Sequence, residues 1–270
     1  MRQNVRFYLG AEYCELSGIS PTLTVLDWLR ERGPTGTKGG YNEGDCGACT
    51  VLIVRLEKAQ LVWKAVNACI QFVSMLDGAQ LFTIEDLGTP AAPHPVQTAM
   101  VEQHGSQCGF CTPGFVMSMA AYRKTPDATT DDARIDEALA GNLCRCTGYA
   151  PIVRAMKQAM AAGADRFDAE VDAITKRLES LQDSEPVCLA GPGGKLTIPA
   201  DSNALSQAFL DDPSATIVAG ATDVGLWVTK GMRILPHIIS IGRVPDLRVM
   251  EHTAAGLKIG AAVTYQEARP

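Results

Sequence analysis

The stretch Gln107-Cys108-Gly109-Phe110-Cys111-Thr112-Pro113, read with Gly141-Asn142-Leu143-Cys144-Arg145-Cys146-Thr147-Gly148-Tyr149, decides how the whole chain is understood. It carries one C-x2-C pair and one C-x-C pair, with 32 residues between them. Two tight pairs brought together make a four-thiolate pocket, which suits zinc or an iron–sulfur cluster. Glycine and threonine crowd the sulfurs, so backbone N–H groups can approach inorganic sulfide and tune a redox centre. Zinc is the serious rival, although C-x-C is its less usual spacing. Inert buried thiols are the bland alternative, and the regular spacing argues against them. Thr112 is expected to cap a helix starting at Pro113, whose free N–H groups would point toward the sulfurs.

The rest of the composition is that of an ordinary globular protein. The 270 residues are 46% hydrophobic and 20% charged, enough for two to three domains. The net charge of −6 gives no electrostatic footprint for nucleic acid. No apolar run is long enough to span a membrane, and the start, Met1-Arg2-Gln3-Asn4-Val5-Arg6-Phe7, lacks the core of a signal peptide. A cytoplasmic location is expected, and there nine cysteines speak for metal rather than disulfides. Cys14 and Cys188 stand alone and read as ordinary thiols.

Upstream lies a second cysteine loop. Gly36-Thr37-Lys38-Gly39-Gly40-Tyr41-Asn42-Glu43-Gly44-Asp45-Cys46-Gly47-Ala48-Cys49-Thr50 holds five glycines in fifteen residues, a loop wrapped closely around something. Plant-type [2Fe-2S] domains use C-x4-C-x2-C and a distant fourth cysteine. Here Tyr41, Cys46, Cys49 and Cys69 fill that pattern, with tyrosine in the first place. Around it, residues 4–20 read as a hairpin, Thr24 to Arg32 as a short amphipathic helix, and Val51–Arg55 and Trp63–Val66 as strands.

Residues 95–162 read as four helices, with the clustered cysteines at their ends. Phe115, Val116, Met119 and Tyr122 form a core stripe on the second. Residues 164–186 read as a linker containing a solvated amphipathic helix, with Val171, Ile174, Leu178 and Leu181 at helical spacing. Gly191-Pro192-Gly193-Gly194 marks a boundary. Beyond it, a buried strand at Thr216–Ala219 empties into Gly220-Ala221-Thr222-Asp223-Val224-Gly225 and then a helix at Leu226–Lys230. Such a turn can present N–H groups to a phosphate, though many turns look alike. Further strands are expected at Ile238–Ile241 and Leu257–Ala262, and an unfinished helix at Arg269-Pro270. The four histidines, His94, His104, His237 and His252, are isolated in sequence and read as surface or satisfied core; no acid–base pair for substrate chemistry is evident.

Glu43-Gly44-Asp45-Cys46-Gly47-Ala48-Cys49-Thr50, together with the two opening motifs, resembles the small subunit of bacterial xanthine dehydrogenases in the molybdenum hydroxylase family. The likeness extends over nearly the whole chain and implies iron–sulfur rather than zinc. It implies a multidomain α+β protein: a β-grasp, plant-type ferredoxin domain at 1–85, a four-helix [2Fe-2S] domain at 86–165, a linker at 166–192, and the first part of a PCMH-type FAD-binding domain at 193–270. One [2Fe-2S] cluster would sit on Cys108, Cys111, Cys144 and Cys146, next to molybdopterin on a large partner subunit, with Gln107 touching the pterin. A second would sit on Cys46, Cys49 and Cys69, nearer the flavin. Thr216, Ile217, Val218, Ala219, Gly220, Ala221, Thr222, Asp223 and Val224 match the family's FAD pyrophosphate loop. The implied role is to relay electrons from purine hydroxylation on the partner to FAD and then NAD, within a heterotetramer or higher αβ assembly.

Three departures qualify the resemblance. Tyr41 replaces a cluster cysteine with a bulkier, harder donor whose pKa is ordinarily about 10, so a labile, altered or missing N-terminal cluster is expected. Ala150 stands where the family usually has arginine, which changes a surface contact. The flavin-type domain is short, so weak FAD binding is expected. The corresponding subunit of an aldehyde or N-heterocycle hydroxylase, and a degenerate subunit that relays nothing, are the alternatives; Leu226-Trp227-Val228-Thr229-Lys230 favours xanthine dehydrogenase.

Overall fold

A computed structural model describes residues 1–254 and 256–268, so the helix expected at Arg269-Pro270 lies outside the described residues. The N-terminal hairpin forms as its alternation dictates: β1 (Val5–Leu9) pairs antiparallel with β2 (Glu12–Leu16) across a turn at Gly10, Phe7 opposite Cys14. Helix α1 (Val25–Arg32) is capped by the Thr24 hydroxyl, which accepts from the Asp27 N–H, and is stopped by Gly33 in the left-handed conformation. Strands β3 (Thr50–Glu57) and β4 (Gln60–Asn67) follow the first cysteine loop, and β5 (Gln80–Phe82) completes a five-stranded sheet in the order β2-β1-β5-β3-β4. Only β1 and β5 run parallel, down the middle. The patterning gave no sign of β5. It is three residues long and includes the polar Gln80, buried because its amide donates to the Gly10 carbonyl at 2.6 Å.

The two faces of this sheet bury different things. Phe7, Val51, Ile53 and Leu81 close on α1 in one core. Leu52, Val54 and Phe82 close on the helices α2 (Pro95–Glu102), α3 (Thr112–Arg123), α4 (Asp132–Leu139) and α5 (Ala150–Ala161) in another. Phe115, Val116 and Met119 are buried there, as their stripe predicts.

The stretch at 164–186 is not a solvated linker. It folds into α6 (Arg166–Ala169) and α7 (Val171–Ser180), and Phe167, Ile174, Leu178 and Leu181 are buried in the same core as the helices. Phe167 packs tilted against Trp63 and Phe82, with ring centroids 5.0 and 4.9 Å away. The period of the apolar residues was visible; the exposed half of the sheet that it covers was not. Gly191-Pro192-Gly193-Gly194 forms the turn of a hairpin, β6 (Val187–Gly191) with β7 (Gly194–Ile198), Gly193 having φ +84°.

Helix α8 (Ser202–Asp211), strand β8 (Thr216–Val218), helix α9 (Val224–Thr229) and strand β9 (His237–Ser240) follow. The second sheet runs β6-β7-β9-β8, with β7, β9 and β8 parallel. A separate hairpin, β10 (Met250–Thr253) with β11 (Gly256–Ile259), takes the last expected strand. Roughly seventy-five residues make a marginal core alone, and this one is shared. Val5 and Phe72 of the N-terminal unit are buried among Val187, Leu196 and Ile238.

Asp77 ties the units together. Its buried carboxylate accepts from the Arg2 guanidinium at 2.8 Å, from Arg243 at 2.6 Å and from the Arg6 N–H at 2.9 Å. Asp183, just beyond α7, meets Arg2, Arg6 and Arg243 from the other side. Removing one member of a buried ionic network leaves its partners uncompensated. Asp77→Ala is expected to cost about 3–5 kcal/mol of stability, read as a shift of the denaturant midpoint; a loss under about 1 kcal/mol, the worth of a surface pair, would show that the network does not join the units.

Candidate metal centres

The helical unit brings its four cysteines to the ends of its helices. Cys108 and Cys111 lie between α2 and α3, and Cys144 and Cys146 between α4 and α5. Thr112 does not cap α3. Cys111 occupies the capping position itself, and the Thr112 hydroxyl pairs instead with Ser106 at 2.7 Å. The Cys111 sulfur therefore sits at the electropositive end of a three-turn helix. Gly109 and Gly148, with φ of +83° and +67°, turn the two loops back on themselves.

All four thiols influence one another, most strongly Cys111 with Cys144 and Cys108 with Cys146. Within each pair one sulfur is favoured as thiolate. Cys108 is lowered by the Phe110 N–H and then by the Cys146 thiol, while Cys146 is raised chiefly by Cys108. Burial pushes Cys144 up, but the Thr147 hydroxyl at 3.2 Å and the N–H groups of Thr147 and Cys146 outweigh it, leaving it lowered. Burial, and then Cys144, push Cys111 up to about 12. Tyr149 completes the loop: its hydroxyl accepts from the Cys144 N–H at 3.1 Å. Among the described residues no three His, Cys, Asp or Glu side chains form a group able to hold a single metal ion. Two pairs of thiols are the donor set that a [2Fe-2S] core takes, two per iron, so these residues fit that group.

The first loop holds a less complete set. The Cys49 and Cys69 sulfurs lie 3.2 Å apart and share a proton, a contact that lowers Cys49 while raising Cys69. Backbone N–H groups reach the sulfurs: Gly44 to Cys69 at 3.3 Å and Tyr41 to Cys46 at 3.5 Å. A side chain at Gly40 would lie 2.7 Å from the Cys46 sulfur, so the backbone hugs the site as the glycine content predicts. Tyr41 is 55% exposed. Three thiols and a solvent-facing phenol do not make a four-thiolate set.

The two loops touch. The Leu143 N–H donates to the Cys46 carbonyl at 3.0 Å, and the Asn142 amide donates to the Gly47 carbonyl at 2.9 Å. Asn142, Thr147 and Tyr149 were invisible as site residues in the sequence, because their roles depend on a loop about a hundred residues away or on a turn not yet folded. Gln107 is exposed beside Cys108.

In the C-terminal unit, Thr216 to Val218 form β8, and Ala219 to Asp223 form the turn before α9, which is only six residues long. Ala221 has φ +60° and its carbonyl accepts from the Gly225 N–H at 2.7 Å. Ala219, Gly220 and Thr222 line a cavity of about 470 Å³ that also meets Asn67, Ile70 and Arg243. Helix α9 lies against the first cysteine loop: a side chain at Gly225 would be 2.7 Å from the Ile70 carbonyl, and Lys230 pairs with Glu43 at 2.9 Å. His237 is a satisfied core histidine, bonded to Asp212 at 2.8 Å and to Thr197 at 3.0 Å, and His94 is buried 3.1 Å from Asp165.

Comparison with known proteins agrees with this division. Residues 83–157 match the family described as "[2Fe-2S] binding domain", and residues 192–270 that described as "FAD binding domain in molybdopterin dehydrogenase". The xanthine dehydrogenase of Drosophila pseudoobscura pseudoobscura is 33% identical over 97% of this chain and 22% of its own length. Aldehyde oxidase 1 of Oryctolagus cuniculus is also 33% identical, over 97% of this chain and 23% of its own. The solved aldehyde oxidoreductase of Desulfovibrio gigas is 32% identical with a TM-score of 0.52, over 67% of this chain and 18% of that one. The chain thus spans about a fifth of the length of the curated relatives it matches. It belongs to the molybdenum hydroxylase family of oxidoreductases, of which it carries the [2Fe-2S]-binding and FAD-binding portion.

Proposed function

We propose that this chain is the electron-transfer portion of a xanthine dehydrogenase-like enzyme, carrying reducing equivalents from purine oxidation at a molybdopterin site on a large partner subunit to FAD and NAD. The single observation that carries this reading is the placement of all four thiols at helix ends, Cys108 and Cys111 running into α3 and Cys144 and Cys146 into α5, with the Cys146 N–H on the Cys144 sulfur at 3.5 Å. When bound, a [2Fe-2S] cluster supplies one-electron storage, and FAD supplies the exchange between one-electron and two-electron carriers. The residues of the chain contribute position and electrostatics. Cys108 and Cys146 are exposed, with Gln107 and Phe110 beside them, which supports docking of the pterin-bearing partner on that face. Ala219, Gly220 and Thr222 open onto the cavity beside Ile70, which supports use of the turn for the FAD pyrophosphate close to the first cysteine loop. The strand order β2-β1-β5-β3-β4 supports a β-grasp for the N-terminal unit, and α2 to α5 support a four-helix second domain. The C-terminal unit fits the first part of a PCMH-type fold, and the assembly is an αβ heterotetramer or larger in the cytoplasm.

A second reading is favoured by one residue. Tyr41 leaves the site of Cys46, Cys49 and Cys69 one thiolate short, so the N-terminal site holds a labile cluster or none, and relay through it fails.

Low-temperature EPR of the dithionite-reduced chain is expected to give one [2Fe-2S] signal, with about two irons per chain. Tyr41→Cys is expected to add a second signal and about two more irons; two signals already in the unaltered chain would refute the Tyr41 argument. Cys144→Ser should abolish the visible absorbance of the helical site, whereas a colourless unaltered chain that binds zinc would overturn the iron–sulfur reading. Activity of the complex with its partner separates substrates: turnover of aldehyde but not xanthine would assign the chain to an aldehyde hydroxylase.

A further inference from the structure

Asn142 stands between the two cysteine loops and serves both. Its side chain is almost wholly buried and every polar atom is used. The amide nitrogen donates to the Gly47 carbonyl at 2.9 Å and to the Thr50 hydroxyl at 3.2 Å, and the amide oxygen accepts from the Ser118 hydroxyl at 2.6 Å. The next residue, Leu143, donates its N–H to the Cys46 carbonyl at 3.0 Å. Two consecutive residues leading into Cys144 thus grip two consecutive residues of the other loop.

The contact has no slack. Gly47 has φ +66°, and a Cβ there would lie 2.4 Å from the Gly141 carbonyl. A Cβ at Gly114, in the first turn of α3, would lie 2.1 Å from the Gly47 carbonyl. Movement of the segment 141–144 is therefore passed to Cys46 and Gly47 through the fully bonded Asn142 amide and the Leu143 N–H, across backbone packed too closely to absorb it.

We propose that Asn142 is a positioning residue shared by the two cysteine sites, so that filling the site at Cys108, Cys111, Cys144 and Cys146 orders the loop that carries Cys46. This rests on the reading of the helical site as an iron–sulfur site. Ligation through Cys144 immobilises the backbone next to it, and the bonds from Asn142 and Leu143 carry that restraint to Cys46. Coupling of this kind is reciprocal: an ordered Cys46 loop holds Cys144 in place for ligation. It needs no metal at Cys46, Cys49 and Cys69.

The test is the alkylation rate of Cys46 in the full chain, followed by mass spectrometry, before and after reconstitution with ferrous iron and sulfide. Loading is expected to slow alkylation of Cys46 about tenfold, within the span of coupled sites, and to leave Cys188 on β6 unchanged. Asn142→Asp keeps the shape but faces the Gly47 carbonyl with an acceptor, and is expected to remove the protection while retaining visible absorbance. Protection as large in Asn142→Asp as in the unaltered chain would overturn the proposal, because direct ligation by Cys46 or simple packing would explain it. Failure of the unaltered chain to gain visible absorbance would instead refute the iron–sulfur reading. The positioning role is then read in the iron-free chain, where Asn142→Asp should speed hydrogen exchange at the Leu143 amide several-fold, and equal exchange would overturn it.

Discussion

Close approach of backbone to backbone at Gly47 is the constraint on which the arrangement of both cysteine sites depends. The Gly47 carbonyl receives the Asn142 amide while the neighbouring Cys46 carbonyl receives the Leu143 N–H. No residue with a side chain fits at Gly47 or Gly114 without displacing main-chain atoms. The sheet and the helices can bury Leu52, Phe82 and Phe115 against each other in many ways compatible with area alone. Only one of them lets these two loops share hydrogen bonds, because a buried carbonyl without a donor is costly.

The C-terminal unit is held by a different kind of force. Its apolar core is completed by Val5 and Phe72, and its charges by Asp77. The buried carboxylates of Asp77 and Asp183 collect Arg2, Arg6 and Arg243 from segments far apart in the chain. The consequence for function is distance. Ala219, Gly220 and Thr222 of the turn before α9 and Ile70, next to Cys69, line the same cavity, which is the closeness that the proposed flavin site needs.

The two cysteine sites differ in ways that bear on what each can hold. At the helical site, N–H groups and the Thr147 hydroxyl bias Cys108 and Cys144 toward the thiolate, while Cys111 at the helix end and Cys146 are raised. At the N-terminal site the backbone is equally close, and Cys49 and Cys69 share a proton in the same manner. The difference is the fourth donor: the Tyr41 N–H is turned to Cys46 and its ring to solvent.

Much of the local structure was legible in the sequence. Phe7, Thr24 and Pro113 marked their strand and helices, and spacing singled out seven cysteines. Local rules suffice there, because alternation, capping and glycine conformation act within a few residues. The misreadings came where a segment's fate depends on a distant surface. The amphipathic α7 was taken as solvated because its partner, the Trp63 and Phe82 face, is brought to it only by folding. Strand β5 and the glycine-rich turn of β6 and β7 needed their neighbours in the sheet to be recognisable. Thus the sequence by itself determined where the thiols fall along the chain and, to within a residue or two, where the helices beside them begin. Tertiary structure decided that Asn142 meets Gly47, that Leu143 meets Cys46, and that α9 lies on the turn at Ile70. Contacts between chain segments far apart in sequence leave no periodic trace, since they arise from packing geometry and not from local backbone preference.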